Sequence, residues 1–95
     1  MHWKIEKLAQ GESFITSEKG NSMTPLIKSG QKHMLVPITL AEVKVGDIVY
    51  CKVKGNLYTH LVKQIDMTKG VLIGNNHGRI NGWTKQVYGK VTEVY

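Results

Sequence analysis

No apolar stretch of note runs longer than Met34-Leu35-Val36-Pro37-Ile38. Short apolar stretches bounded by glycine or polar turns are the pattern of strands, because a strand needs few residues to cross a small core and then must turn. With ten glycines and two prolines the chain has many turn points and few strand breakers. The spacing predicts a mainly β, small antiparallel domain with strands at about Phe14–Thr16, His33–Pro37, Ile48–Val53, Tyr58–Asp66, Gly70–Ile73 and Gln86–Val94. The third and fourth form a hairpin turning at Gly55-Asn56, and a second turn lies at Thr68-Lys69-Gly70. Residues 2–10 read either as a short amphipathic helix with Trp3, Leu8 and Ala9 on one face or as a strand. Thr24 through Gly30 carries the punctuation of one helical turn, with Thr24 as cap, Pro25 in the first position and Gly30 as the stop.

Ninety-five residues make one domain, 1–95, with a modest core. The single cysteine, Cys51, forms no internal disulfide, which favours the cytoplasm as the compartment. No stretch approaches the roughly 20 apolar residues of a spanning helix, so no membrane anchor is expected. The net charge of +6 raises nucleic acid as a partner. The basic residues are almost all lysines scattered along the chain, without a run or an arginine cluster, and a basic soluble surface accounts for them. No two histidines have a tight ligand spacing and Cys51 is alone, so no metal site is expected.

One segment carries chemistry: Gly20-Asn21-Ser22-Met23-Thr24-Pro25-Leu26-Ile27-Lys28-Ser29-Gly30. A serine reached from a strand through a glycine sits where backbone N–H groups are free to face developing negative charge. Four further landmarks follow in order: Val45-Gly46-Asp47-Ile48-Val49, Tyr58-Thr59-His60-Leu61-Val62, Leu72-Ile73-Gly74-Asn75-Asn76 and Val87-Tyr88-Gly89-Lys90-Val91. Together they resemble the catalytic core of the signal peptidase and LexA-type serine peptidases, over about residues 18–94. The resemblance implies a coiled antiparallel β domain and a serine endopeptidase with no cofactor. Ser22 would be the nucleophile, and Asn21, Ser22 and Met23 would line the oxyanion and substrate positions. The substrate would be a peptide or protein bound as an extended strand, with small side chains near the cut.

A serine hydroxyl needs a base to take its proton. Within these families the base is a lysine in bacterial signal peptidases and LexA-type proteins, and a histidine in signal peptidases of the endoplasmic reticulum. The base strand here offers His60 and, three residues on, Lys63. Alternation along a strand sends the two to opposite faces unless a bulge intervenes. His60 has the family spacing from Ser22, and an imidazole titrates near neutrality, whereas a lysine must first be desolvated. His60 is therefore the expected base and Lys63 the alternative. The sequence departs from the family at the third position: His77 to Trp83 holds no carboxylate, and Asn81 stands where an aspartate is looked for. Asn81 or Asn76 would orient the histidine without supplying charge. This leaves open a catalytically inactive peptide- or protein-binding module on the same fold, or a basic accessory protein associated with nucleic acid. With only about twenty residues before Ser22, processing of a separate partner is expected over self-cleavage, and the small free-standing architecture suits a phage or mobile element.

Overall fold

The computed structural model describes residues 2–95. Its elements are helix α1 (Trp3–Ala9) and strands β1 (Phe14–Thr16), β2 (His33–Pro37), β3 (Ile48–Val53), β4 (Asn56–Asp66), β5 (Gly70–Gly74), β6 (Ile80–Thr84) and β7 (Val87–Val94), with a short 3-10 turn at Leu40–Glu42. All seven strands join one antiparallel sheet in the order β1-β2-β7-β3-β4-β5-β6. The mainly β, antiparallel expectation holds, and the expected strands recur with ends shifted by at most two residues.

Strand β3 is central, and both of its faces are covered. Val49, Cys51 and Val53 alternate onto one face, where they pack with Val43, Val62, Val71 and Ile73. Tyr50 points the other way and packs with Leu35 and with Ile5 and Leu8 of α1. Residues 2–10 thus resolve as a helix, but its buried face is Lys4, Ile5 and Leu8, not Trp3, Leu8 and Ala9. Ile5 and Leu8 are one turn apart and share a stripe, while Trp3 stays about half exposed. The helix lies so close to β7 that a Cβ on Gly89 would stand 2.9 Å from Leu8 Cδ1, so this position takes only glycine without a shift. Cys51 is a core residue, and burial pushes its thiol up to about 12, leaving it an inert apolar group.

Three local readings are corrected. The hairpin between β3 and β4 turns at Lys54-Gly55, since Val53 pairs with Asn56. Both turn residues have positive φ, 51° and 83°, as a two-residue turn matching the strand twist requires. Lysine is a poor occupant of that conformation, and Lys54→Asn is expected to stabilise the domain by about 0.5–1 kcal/mol. A rise of about 2–8 °C in the thermal midpoint would register it.

Residues 24–30 form no helix; they lie in turns, and the Thr24-Pro25 bond is cis. The Thr24 N–H and hydroxyl both donate to the Asn21 carbonyl, at 3.3 and 2.9 Å. The Thr24 carbonyl, which a helix would bond internally, instead accepts from the Asn76 side chain at 2.9 Å. Finally, Ile80–Thr84 is a strand where the sequence pattern predicts none, because Asn81-Gly82 interrupts any apolar alternation.

Candidate active site

Ser22 and His60 meet. The imidazole sits in the middle of β4, paired across to Val49 and 7% exposed, with Tyr58 stacked on it at 4.9 Å between ring centres. Its Nε2 lies 3.0 Å from Ser22 Oγ, and its Nδ1 lies 2.7 Å from the Asn81 amide oxygen. An amide oxygen only accepts, so Nδ1 carries the proton and donates to Asn81. That leaves the Nε2 lone pair to accept the Ser22 O–H. Burial lowers the His60 pKa, opposed by the Asn81 hydrogen bond and the negative charge of Glu18, so the ring is neutral at pH 7.

The serine is held from outside its own turn. Its carbonyl accepts from Asn76 N–H at 2.9 Å, and the Asn76 side chain holds the Thr24 carbonyl. His77 Nε2–H reaches the Asn21 carbonyl at 3.0 Å and Thr24 Oγ1 at 2.9 Å. The Asn75 side chain braces this loop by accepting from the N–H groups of His77 and Arg79, at 2.8 and 3.0 Å. Asn76 therefore fastens the nucleophile turn and makes no bond to the imidazole, which Asn81 contacts. The N–H groups of Ser22 and Met23 make no hydrogen bond among the described residues.

Lys63 is not part of this cluster. The β4–β5 register slips between Val62 and Gln64, so Lys63 is the bulged residue, and its chain lies near Gly74. It makes no hydrogen bond to Ser22 among the described residues.

Glu18, four residues before the nucleophile, is the site residue that sequence reasoning missed. Its carboxylate accepts from the Thr59 hydroxyl and stands 3.6 Å from Lys4 Nζ and 3.7 Å from His33 Nε2. Burial works against its ionisation but is outweighed by His33, Thr59 and Lys4, which hold the carboxyl at about 2. A lone acid beside Gly20 was the available signal. A groove of about 410 Å³ passes the dyad, lined by Lys19 and Ser22, by Leu57 to His60, and by Arg79 and Asn81. No group of three His, Cys, Asp or Glu among the described residues is placed to hold a metal ion.

A family model described as Peptidase S24-like matches residues 1–81. The chain belongs to that family. The match spans Ser22, His60 and Asn81 and ends before β7, and it makes this S24-like chain a serine peptidase-type domain within the superfamily expected from the five landmarks. No curated protein and no solved structure matches it significantly. No described helix is long and apolar enough to cross a membrane.

Proposed function

We propose that the chain is a serine endopeptidase with a Ser22–His60 dyad oriented by Asn81. The observation that carries this reading is the 3.0 Å contact between Ser22 Oγ and His60 Nε2, with the other ring nitrogen already committed. Ser22 Oγ attacks the peptide carbonyl carbon while its proton passes to His60 Nε2. The carbonyl oxygen becomes an oxyanion facing the unengaged N–H groups of Ser22 and Met23. Collapse of this intermediate breaks the C–N bond, and His60 returns the proton to the leaving amine. Water, deprotonated by His60, then hydrolyses the acyl-serine.

The substrate has an edge to bind. β3 pairs with β4 from Asn56 to Leu61, whereas β5 pairs only from Leu61 onward. Val62 bonds toward the β3 side, through Asp47 O and Gly46 N at 2.9 Å. Alternation then turns the backbone groups of Leu57 and Thr59 to the open side, beside the nucleophile. An extended peptide added there presents its carbonyl to Ser22.

A fluorophosphonate probe tests this reading, because it bonds only to an activated serine. Wild-type protein is expected to label at Ser22, and Ser22→Ala to stay unlabelled. An unlabelled wild type would instead favour a binding module, the reading that the uncharged Asn81 supports.

A further inference from the structure

The free charge around the dyad is of one sign. The groove and the smaller cavity that shares Ser22 and Lys19 with it are lined by three cations, Lys19, Lys28 and Arg79, and by one acid, Glu18. The Glu18 carboxylate is already met by the Thr59 hydroxyl and Lys4, with His33 3.7 Å away. The side chains of Lys19, Lys28 and Arg79 make no hydrogen bond or ion pair among the described residues. Their charge faces whatever enters the groove.

Arg79 is the chain's one arginine, and it stands at a defined end of the groove. β5 covers β4 only as far as Leu61, which pairs with Gly74, and Gly74 pairs in turn with Ile80. Arg79 precedes Ile80, so it lies where β5 stops and the open edge of β4 begins. A peptide laid along that edge at Leu57 and Thr59 meets Arg79 at one end. The Arg79 backbone is fixed: its N–H donates to the Asn75 side chain at 3.0 Å, and its carbonyl accepts the Asn75 N–H at 2.9 Å. The guanidinium is exposed and uncommitted, a planar fork that matches a carboxylate with two parallel hydrogen bonds.

We infer that Arg79 is a specificity-determining residue, pairing with an aspartate or glutamate of the peptide that lies along the β4 edge. Lys19 and Lys28 add a field of the same sign, which disfavours lysine and arginine in the groove. The open strand edge pairs with a backbone of alternating N–H and C=O groups, which favours an acidic peptide over a nucleic acid. This inference rests on the peptidase reading for the course of the peptide.

The test digests a proteome-derived chymotryptic peptide library and reads the cut sites by mass spectrometry. Wild-type protein is expected to favour aspartate and glutamate over asparagine and glutamine about fivefold at one fixed position from the bond, the upper range of an exposed ion pair. Arg79→Gln should remove that preference, and Arg79→Glu should replace it with lysine and arginine at the same position. Ratios within one variant cancel any general loss of rate, and a merely structural role for Arg79 would not invert them. In about 1 M salt, where charges are screened beyond about 3 Å, the preference should shrink. No acidic preference in the wild type, or one that survives Arg79→Glu, overturns the inference.

Binding separates this inference from the peptidase reading. Fluorescein-labelled decapeptides of alternating alanine and threonine, carrying one central aspartate, asparagine or lysine, are titrated against Ser22→Ala. Tightest binding of the aspartate peptide, reversed when Arg79→Glu is added, with every library peptide left uncut by the wild type, keeps Arg79 and overturns the peptidase reading. Cleavage without an acidic preference keeps the peptidase reading and overturns the role of Arg79. Where the library stays uncut, equal or absent binding of the three peptides overturns the inference as well. A single-stranded DNA oligonucleotide that binds more tightly than the aspartate peptide, and is lost with Arg79→Glu, would assign the groove to nucleic acid and overturn it too.

Discussion

Replacing His60 with alanine is expected to lower kcat/KM by about 10⁴, the upper range for a general base. Adding Ser22→Ala should cost nothing further, because the two residues act on one proton and their effects do not add. The pH profile gives an independent reading. His60 serves as base only when neutral, and burial disfavours its charged form, so its pKa lies below the usual histidine value of 6.5. The rate should therefore rise tenfold per pH unit below an acidic midpoint, bend over at it and level off by about pH 7. A lysine base would give the same rising limb displaced to higher pH, with the rate still climbing at alkaline pH. The same shift carries a stability consequence. The unfolded chain binds the His60 proton more readily than the folded one, so the stability due to this group is present above the unfolded pKa and declines as the pH falls through it. Lys63→Met should leave the profile unchanged; a loss matching that of His60→Ala would put the base at the bulge.

The Ser22–His60 pair was legible through the resemblance to the family's nucleophile box and base strand, and alternation along the strand separated His60 from Lys63. A register of alternating residues fixes which face His60 occupies, and β4 is long and regular there. What the sequence hid depended on contacts between distant segments. The signals at Thr24, Pro25 and Gly30 suit a helix start and stop, yet they suit other turns equally, and the Asn76 side chain decided between them by taking the Thr24 carbonyl. β6 was unreadable because its identity comes from pairing with β5, from Val71–Thr84 to Gly74–Ile80, and not from its own apolar pattern. That pairing brings Asn81 within 2.7 Å of the imidazole. Glu18 was invisible for a similar reason: its partners Lys4, His33 and Thr59 come from three separate elements. Asn76 was offered with Asn81 as the residue that orients the histidine, but its side chain holds the Thr24 carbonyl instead, since a loop asparagine has several carbonyls within reach.

Changing Asn81 to aspartate is expected to raise kcat/KM by about 100-fold. The asparagine oxygen already selects the productive tautomer, with Nδ1 protonated and Nε2 free, so orientation is not what the dyad lacks. It lacks a negative charge against the imidazolium that forms when Ser22 gives up its proton. In a well-studied triad the reverse change costs about 10⁴, part of which is a wrong tautomer that Asn81 avoids here. The gain from charge alone should accordingly be smaller. An aspartate would also favour protonation of the ring in the resting state, moving the acidic limb of the pH–rate profile upward by about one to two units. The variant is thus expected to be faster at pH 8 and to lose most of its advantage near pH 5. Steady-state rates across that range decide the matter. A faster plateau with the limb unmoved would mean that the new carboxylate does not face Nδ1. An upward-shifted limb with no gain at the plateau would mean that proton transfer to His60 does not limit turnover.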